Sequence, residues 1–236
     1  MHPSALKNGK LFFETYASAH SEATVVDLGS QNVNGSLKDV MPSHLRYIGV
    51  DFVEGTGVDV VIDDPYKLPF DDESVDILVS SSCLEHSEMF WLVFLEMLRV
   101  LRPAGLLYIS VPSNGDFHRF PVDCWRFYPD SGQALVNWAR RNGLRPQLLE
   151  SFVGDQCMGT FNDFNAVFVK DEQSGSLYPG RMTDKKSDFA NGIVAGRTGF
   201  LNYRNRSEDQ TNLIYTLKRK RWHWYKKAVL RGRPPV

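Results

Sequence analysis

Cysteine is nearly absent: the chain has three in 236 residues, at positions 83, 124 and 157. Their spacing fits no metal-ligand pattern and their odd number argues against a disulfide framework, so a reducing compartment, the cytoplasm, is expected and no metal site. Long apolar runs are missing as well. None approaches the roughly 18 residues that a membrane-spanning helix needs. Residues 1–10 are polar, and residues 11–19 are short and interrupted by Glu14, so no secretory leader is expected. No internal repeat is visible. The formal net charge is only -1, from 27 basic and 28 acidic side chains. With 42% apolar and 23% charged residues, this is the composition of an ordinary globular domain with one good-sized core.

The near-zero charge conceals an asymmetry. Residues 217–236 carry eight Lys or Arg and no acid, which leaves -9 on the rest. An acidic body is a poor binder of duplex DNA, and no nucleic-acid partner is expected.

What the chain does have is alternation. Residues 4–19 read as a helix, followed by strands over 23–28, 46–50, 58–62, 75–80 and 106–111. Residues 35–41 read as the start of a helix, and residues 88–101 as an amphipathic helix ended by Pro103 and Gly105. This rhythm predicts an α/β fold with a mostly parallel sheet and helices on both faces. Residues 132–141 read as helix, and 144–152 and 164–170 as strands joined by the short irregular segment 154–159, which suits an antiparallel pair at a sheet edge. Residues 171–212, rich in Ser, Gly, Asn and Asp, are expected to be loop or partly ordered. The expected organisation is a domain over 1–170 and an extension over 171–236. The extension would be loop-rich, then a basic aromatic helix docked on that domain.

The strand ends carry the first chemistry. Val25-Val26-Asp27-Leu28 runs into Gly29 and a small-residue turn, and Tyr47-Ile48-Gly49-Val50 ends in Asp51. Such a layout builds a nucleoside crevice at the carboxyl ends of parallel strands. Gly29 lets the backbone approach a ligand. Asp27 can orient the turn or accept from an amine, and Asp51 can accept from both ribose hydroxyls, at about 1.5–3 kcal/mol per charge-assisted bond. Only Gly29 and Gly35 remain of the Gly-x-Gly-x-x-Gly turn that a pyrophosphate wants, so the spacing favours S-adenosylmethionine over NAD.

Those segments, with Asp64-Pro65-Tyr66-Lys67-Leu68-Pro69-Phe70, Leu84-Glu85-His86 and residues 96–105, resemble class I S-adenosylmethionine-dependent methyltransferases of the methyltransferase type 11 group. The resemblance covers residues 10–170. It implies a Rossmann-like seven-stranded sheet of order 3-2-1-4-5-7-6 with strand 7 antiparallel. It places Asp27 and Gly29 against the methionine moiety, Asp51 on the ribose, Asp64 near the adenine amine and Leu84 near the reacting end of the cofactor. Two positions depart from the pattern. Gln31 stands where the family has glycine, which would narrow the cofactor pocket, and Ala104 replaces the first glycine of a pair.

Residues 112–129 leave the fifth strand beside the cofactor and combine imidazole, guanidinium, carboxylate and aromatic groups. His118, then His86, are the candidate general bases for an aliphatic hydroxyl acceptor, since a neutral imidazole suits that task near pH 7. Asp123 could orient an imidazole or accept from substrate hydroxyls. Arg119 and Arg126 could clamp a phosphate or carboxylate, and Trp125 could stack on a sugar face. Each also has a plain structural alternative, Trp125 pinning the loop and Arg126 pairing with Asp123 or Asp116. The run 117–127 resembles methyltransferases associated with bacterial surface polysaccharide or capsule biosynthesis, which implies O-methylation of a sugar or surface-glycan precursor and release of S-adenosylhomocysteine. N-methylation of an amino sugar and a catalytically idle cofactor-binding scaffold are the competing readings.

In the tail, Trp222, Tyr225 and Val229 share one helical face among basic residues. A helix touching anionic lipid at the inner membrane face through residues 217–231 has this pattern, and so does one docked on its own body or on a second subunit. A homodimer is the common default at this size.

Overall fold

The computed structural model describes residues 3–18, 20–156 and 161–230. Five strands run parallel: β1 (Thr24–Leu28), β2 (Arg46–Asp51), β3 (Val60–Val61), β4 (Val75–Ser81) and β5 (Leu101–Pro112). Residues such as Val25, Val26, Ile77, Leu78 and Val79 are 0% exposed, which is why β1 and β4 read as unbroken apolar runs rather than alternating ones. Three more strands follow: β6 (Gln147–Gly154), β7 (Asp163–Val169) and β8 (Phe189–Val194). The sheet order is β3-β2-β1-β4-β5-β7-β6-β8. β7 lies antiparallel to both β5 and β6, and β8 antiparallel to β6. The expected seven-strand order is therefore present, extended by one strand.

Two apolar cores flank the sheet. On one face α2 (Phe90–Val100) and α3 (Ser131–Arg141) set Val93, Phe94, Met97, Leu98, Leu135 and Val136 against Leu78, Leu107 and Ile109. On the other, α1 (Pro3–Phe12) passes into a π turn (Phe13–Ala17) whose aromatics meet Ile77, Val79 and Tyr108. Phe12 stacks on Tyr108 with ring centroids 4.6 Å apart.

The β1–β2 crossover is shorter in structure than residues 35–41 suggested. A single 3-10 turn, Leu37–Val40, forms there, capped reciprocally by Ser36 and Asp39. Pro42 disfavours helical geometry at Met41, so the turn cannot propagate.

The segment after residue 170 also departs from expectation. The first compact unit extends to Tyr203, and β8 within it pairs with β6. Buried Glu150 holds the incoming chain: its carboxylate accepts from Thr183 N at 3.0 Å, Thr183 Oγ1 at 2.8 Å and Tyr16 OH at 2.6 Å. Residues 204–236 form a second unit, whose α4 (Glu208–Leu230) begins well before the basic run. Within α4, Trp222 stacks on Tyr225 at 5.9 Å with Lys226 over the indole, and Trp222, Trp224 and Tyr225 are exposed. The side chain of Val229, together with Arg231 and Cys157, lies outside the described residues.

Candidate functional site

Two adjoining cavities open at the carboxyl ends of β1, β2 and β4. The first, about 270 Å³, is lined by the β1 turn, Asp51, Ser81, His86, His118 and Phe120. The second, about 260 Å³, is walled by Phe52, Ile62, Pro65, Tyr66 and Val93. Gly29, Asp51, Phe52, Cys83 and His86 border both.

Gly29 is required sterically. Its φ is +85°, and a Cβ there would lie 2.6 Å from Cys83 Cβ and 2.9 Å from Cys83 Sγ. Its N–H donates to Val50 O at 2.9 Å, which fixes the turn over β2. Asp51 is held from both sides: Oδ1 accepts from Phe52 N at 2.8 Å, and Oδ2 from Gln31 N at 3.1 Å. A carboxylate offers about four acceptor positions, so capacity remains at the junction of the cavities. Gln31 lines the first cavity. Its side chain runs along Gly55, with Nε2 2.8 Å from where a Gly55 Cβ would stand.

Asp27 is buried, and its Oδ2 accepts from Tyr47 OH at 2.7 Å. Burial pushes its carboxyl up to about 7, the Tyr47 hydrogen bond works against this, and the Asp51 charge adds to it. Ser30 and Ser81 line the first cavity, and their Oγ atoms are buried without a hydrogen-bond partner among the described residues. Orphaned donors of this kind, beside a carboxylate ready for a cation, fit the polar end of a ligand. The apolar walls of the second cavity fit a planar base.

Two expected cofactor contacts are placed differently. Leu84 is 0% exposed in the core and borders neither cavity, whereas Cys83 borders both, its thiol pushed up to about 12 by burial. Asp64 is exposed, and its Oδ1 accepts from Tyr66 N at 2.9 Å, closing a turn behind the second cavity.

The loop after β5 divides into structural and chemical parts. Arg126 forks onto Asp123, Nη1 to Oδ1 at 2.6 Å and Nη2 to Oδ2 at 2.9 Å, and also donates to the carbonyls of Trp125 and Asp116. Its geometry is spent on the loop, not on a substrate. Those Arg126 hydrogen bonds hold the Asp123 carboxyl down at about 2. Trp125 donates from Nε1 to Ser87 O at 2.9 Å and meets Phe90 and Trp91 edge-on, so it anchors the loop to α2 and borders neither cavity. Asp123 also accepts from His118 N at 2.7 Å, which makes it the positioning residue for that histidine. Arg119 is exposed and, among the described residues, enters no ion pair.

His86 and His118 come together. Their rings meet perpendicularly with centroids 5.0 Å apart. His86 Nδ1 bonds Val122 O, and His118 Nδ1 lies 3.1 Å from Asp116 O. The carbonyl at His86 Nδ1 leaves that ring's lone pair on Nε2, while His118 Nδ1 faces both the Asp116 carbonyl and, at 3.5 Å, Arg126 Nη2. Burial lowers the His86 pKa, keeping that ring neutral near pH 7. Beneath them lies Glu85, a residue that sequence reasoning passed over. It is 1% exposed, with its carboxyl pushed up to about 8 by burial, and its Oε1 is 3.7 Å from His86 Nε2. Its position directly before His86, at a strand end, was the available signal.

A mixed sheet of this order, parallel from β3 to β5 and with its crevice at the β1–β2–β4 ends, is the Rossmann-like methyltransferase fold. Residues 9–109 match the family model described as a methyltransferase domain. An uncharacterised methyltransferase of Mycobacterium marinum is 33% identical over 133 residues, 54% of this chain and 47% of that protein. The chain thus spans about half the length of the curated relatives it matches. Among solved structures, the 1,6-didemethyltoxoflavin-N1-methyltransferase of Burkholderia thailandensis, with its substrate and S-adenosylhomocysteine bound, superposes with a TM-score of 0.54 at 18% identity, covering 71% of this chain and 79% of that one. The cyclase SpnF superposes at 0.52 with 13% identity over 70% and 81% of the two chains. The fold is common to these proteins, and the chemistry has to be argued from the site.

Proposed function

We propose that this protein is an S-adenosylmethionine-dependent methyltransferase that methylates a hydroxyl of a small polar acceptor, a sugar or surface-glycan precursor. The observation that carries the reading is the junction of the two cavities at Asp51. A carboxylate there, between a polar cavity with orphaned hydroxyls and an apolar slot, has the arrangement that a nucleoside joined to an amino acid requires. Asp27, Ser30 and Ser81 hold the amino-acid end, Asp51 the ribose, and Phe52, Ile62 and Tyr66 the base. Bound there, the cofactor supplies an electrophilic methyl group on a sulfonium.

The chain's own part is to place the acceptor and receive its proton. His86 and His118 border the first cavity, and an aliphatic hydroxyl has to lose its proton to attack. Phe120, 54% exposed at the rim, offers a face for a sugar ring, and Arg119 on the same loop is available to an anionic substituent. In-line placement contributes most of the remaining rate. Among the described residues no helix is long and apolar enough to cross a membrane. The basic aromatic α4 supports a surface contact with anionic lipid, where a lipid-linked saccharide would be found.

The test is a screen of sugar, sugar-phosphate and amine acceptors for S-adenosylhomocysteine release by the wild-type protein, His86→Ala and His118→Ala. Strong loss of hydroxyl methylation in both variants supports the reading. Equal turnover on amines, indifferent to both substitutions, refutes the hydroxyl assignment. Cofactor binding without turnover on any acceptor favours the scaffold reading.

A further inference from the structure

We infer that Glu85, His86 and His118 form a binding site for a divalent cation of the first transition row, and that the acceptor oxygen completes its coordination. This rests on the proposed hydroxyl methylation and deepens it. Donor atoms of the three side chains all lie within 4.8 Å of one another. His86 Nε2 and Glu85 Oε1 are 3.7 Å apart. Ligands on one cation at about 2.0–2.2 Å stand roughly 3 Å apart, so the site closes by about an ångström or more on loading. Two of the three ligands are neighbours in a short 3-10 turn, and the third sits on the partly exposed loop after β5, which gives that closure a place to occur.

Three features suit a cation. A backbone carbonyl lies against Nδ1 of each imidazole, and an outer hydrogen bond of this kind is the usual orienting contact behind a ligating histidine. Glu85 is 1% exposed, and its Oε2 has no hydrogen-bond partner among the described residues. A buried carboxylate oxygen left without a donor is the group a cation would satisfy. Arg126, whose Nη2 lies 3.5 Å from His118 Nδ1, has its charge matched by the fork onto Asp123. Two imidazoles and one carboxylate with open positions select zinc, iron, cobalt, nickel or manganese over magnesium and calcium.

The chemical consequence is direct. An acceptor hydroxyl bound to the cation is more acidic and releases its proton to water. An oxygen lone pair then forms the bond to the methyl carbon, and the electron pair of the broken carbon–sulfur bond stays on sulfur as the thioether. In this form of the reaction the histidines are ligands, and no free imidazole base is needed.

The experiment uses the full chain stripped with a chelator and saturated with S-adenosylhomocysteine, whose binding is measured separately. Zinc chloride is titrated by calorimetry, and cobalt(II) by its visible absorption. The expected result is one ion per chain at micromolar affinity or better, about tenfold or more weaker in His118→Ala and in Glu85→Gln, and unchanged in His44→Ala, an exposed histidine whose Nε2 meets His20 O. Because Glu85 is buried, the partly exposed His118 is the decisive variant if Glu85→Gln fails to fold. Turnover lost on stripping and restored by zinc or manganese supports the assignment. Affinity weaker than millimolar, or equal affinity in His118→Ala, overturns it. Full turnover in chelator with His86 and His118 still required also overturns it, while leaving the hydroxyl methyltransferase with an imidazole base intact.

Discussion

Asp27 gives the proposed cofactor site a proton linkage that can be measured. The side chain is 2% exposed and its carboxyl is raised from 3.8 to about 7, chiefly by burial. That displacement corresponds to about 4 kcal/mol against the ionised form, at roughly 1.4 kcal/mol per pH unit. Because the folded-state value is raised, the folded protein holds a proton that the unfolded chain releases between about pH 4 and 7. Asp27 therefore contributes most to stability below the lower value, and that contribution is lost as pH rises through the upper one. The ammonium of an amino-acid ligand favours the carboxylate, so binding should expel the proton. At pH 6 the empty site is about nine-tenths protonated, and binding should release up to about 0.9 proton. Calorimetric titration of S-adenosylhomocysteine in two buffers with different heats of ionisation measures this number. Asp27→Asn keeps an acceptor for Tyr47 OH, should lose the release, and should bind the ligand more weakly above pH 7. No proton release between pH 5.5 and 8, or the same release in Asp27→Asn, would refute the assignment of Asp27 to the amino group.

Further outcomes follow from single contacts. Gly29→Ala combines a left-handed backbone with a Cβ 2.6 Å from Cys83 Cβ; denaturant unfolding should show a loss of about 2–5 kcal/mol, together with loss of cofactor binding. Ala104 has φ +62°, while its bonds to Asp171 and Tyr178 use only its backbone, so Ala104→Gly should stabilise by about 0.5–1 kcal/mol in the same assay. Arg126→Ala strands Asp123, whose side chain is 1% exposed, and should lower kcat with S-adenosylhomocysteine affinity unchanged. The Asp123 value is depressed to about 2, so its contribution to loop stability is present above pH 4 and fades as pH falls towards 2, which amide exchange in residues 116–126 can follow.

Much of the fold could be read from the chain because parallel strands buried on both faces leave unbroken apolar runs. β1 and β4 show them, and α2 follows from Val93, Phe94, Met97 and Leu98 at helical spacing. β8 could not be read. Phe189–Val194 contains Asn191 and Gly192, residues poor in strands, and it joins the sheet because β6 and buried Glu150 fix it from a distance. The strand-end place of Asp51 and the turn at Gly29 were legible because strand ends and turns constrain residue type locally. Leu84 faces the core and not the cavities, since nothing in a linear motif says which side chain of a turn turns inward. Arg126 and Trp125 carry the chemistry of substrate binding, yet their partners Asp123 and Ser87 occupy them. The Glu85–His86–His118 cluster joins a turn and a loop more than thirty positions apart, a proximity created by the sheet alone.

The central claim is tested most directly by titrating the nucleotide-stripped protein with S-adenosylmethionine by calorimetry, with NAD in parallel. The site described here predicts saturable, one-to-one binding of S-adenosylmethionine, lost in Asp51→Ala, and no binding of NAD. Binding of NAD alone, or S-adenosylmethionine binding that survives Asp51→Ala unchanged, would contradict it.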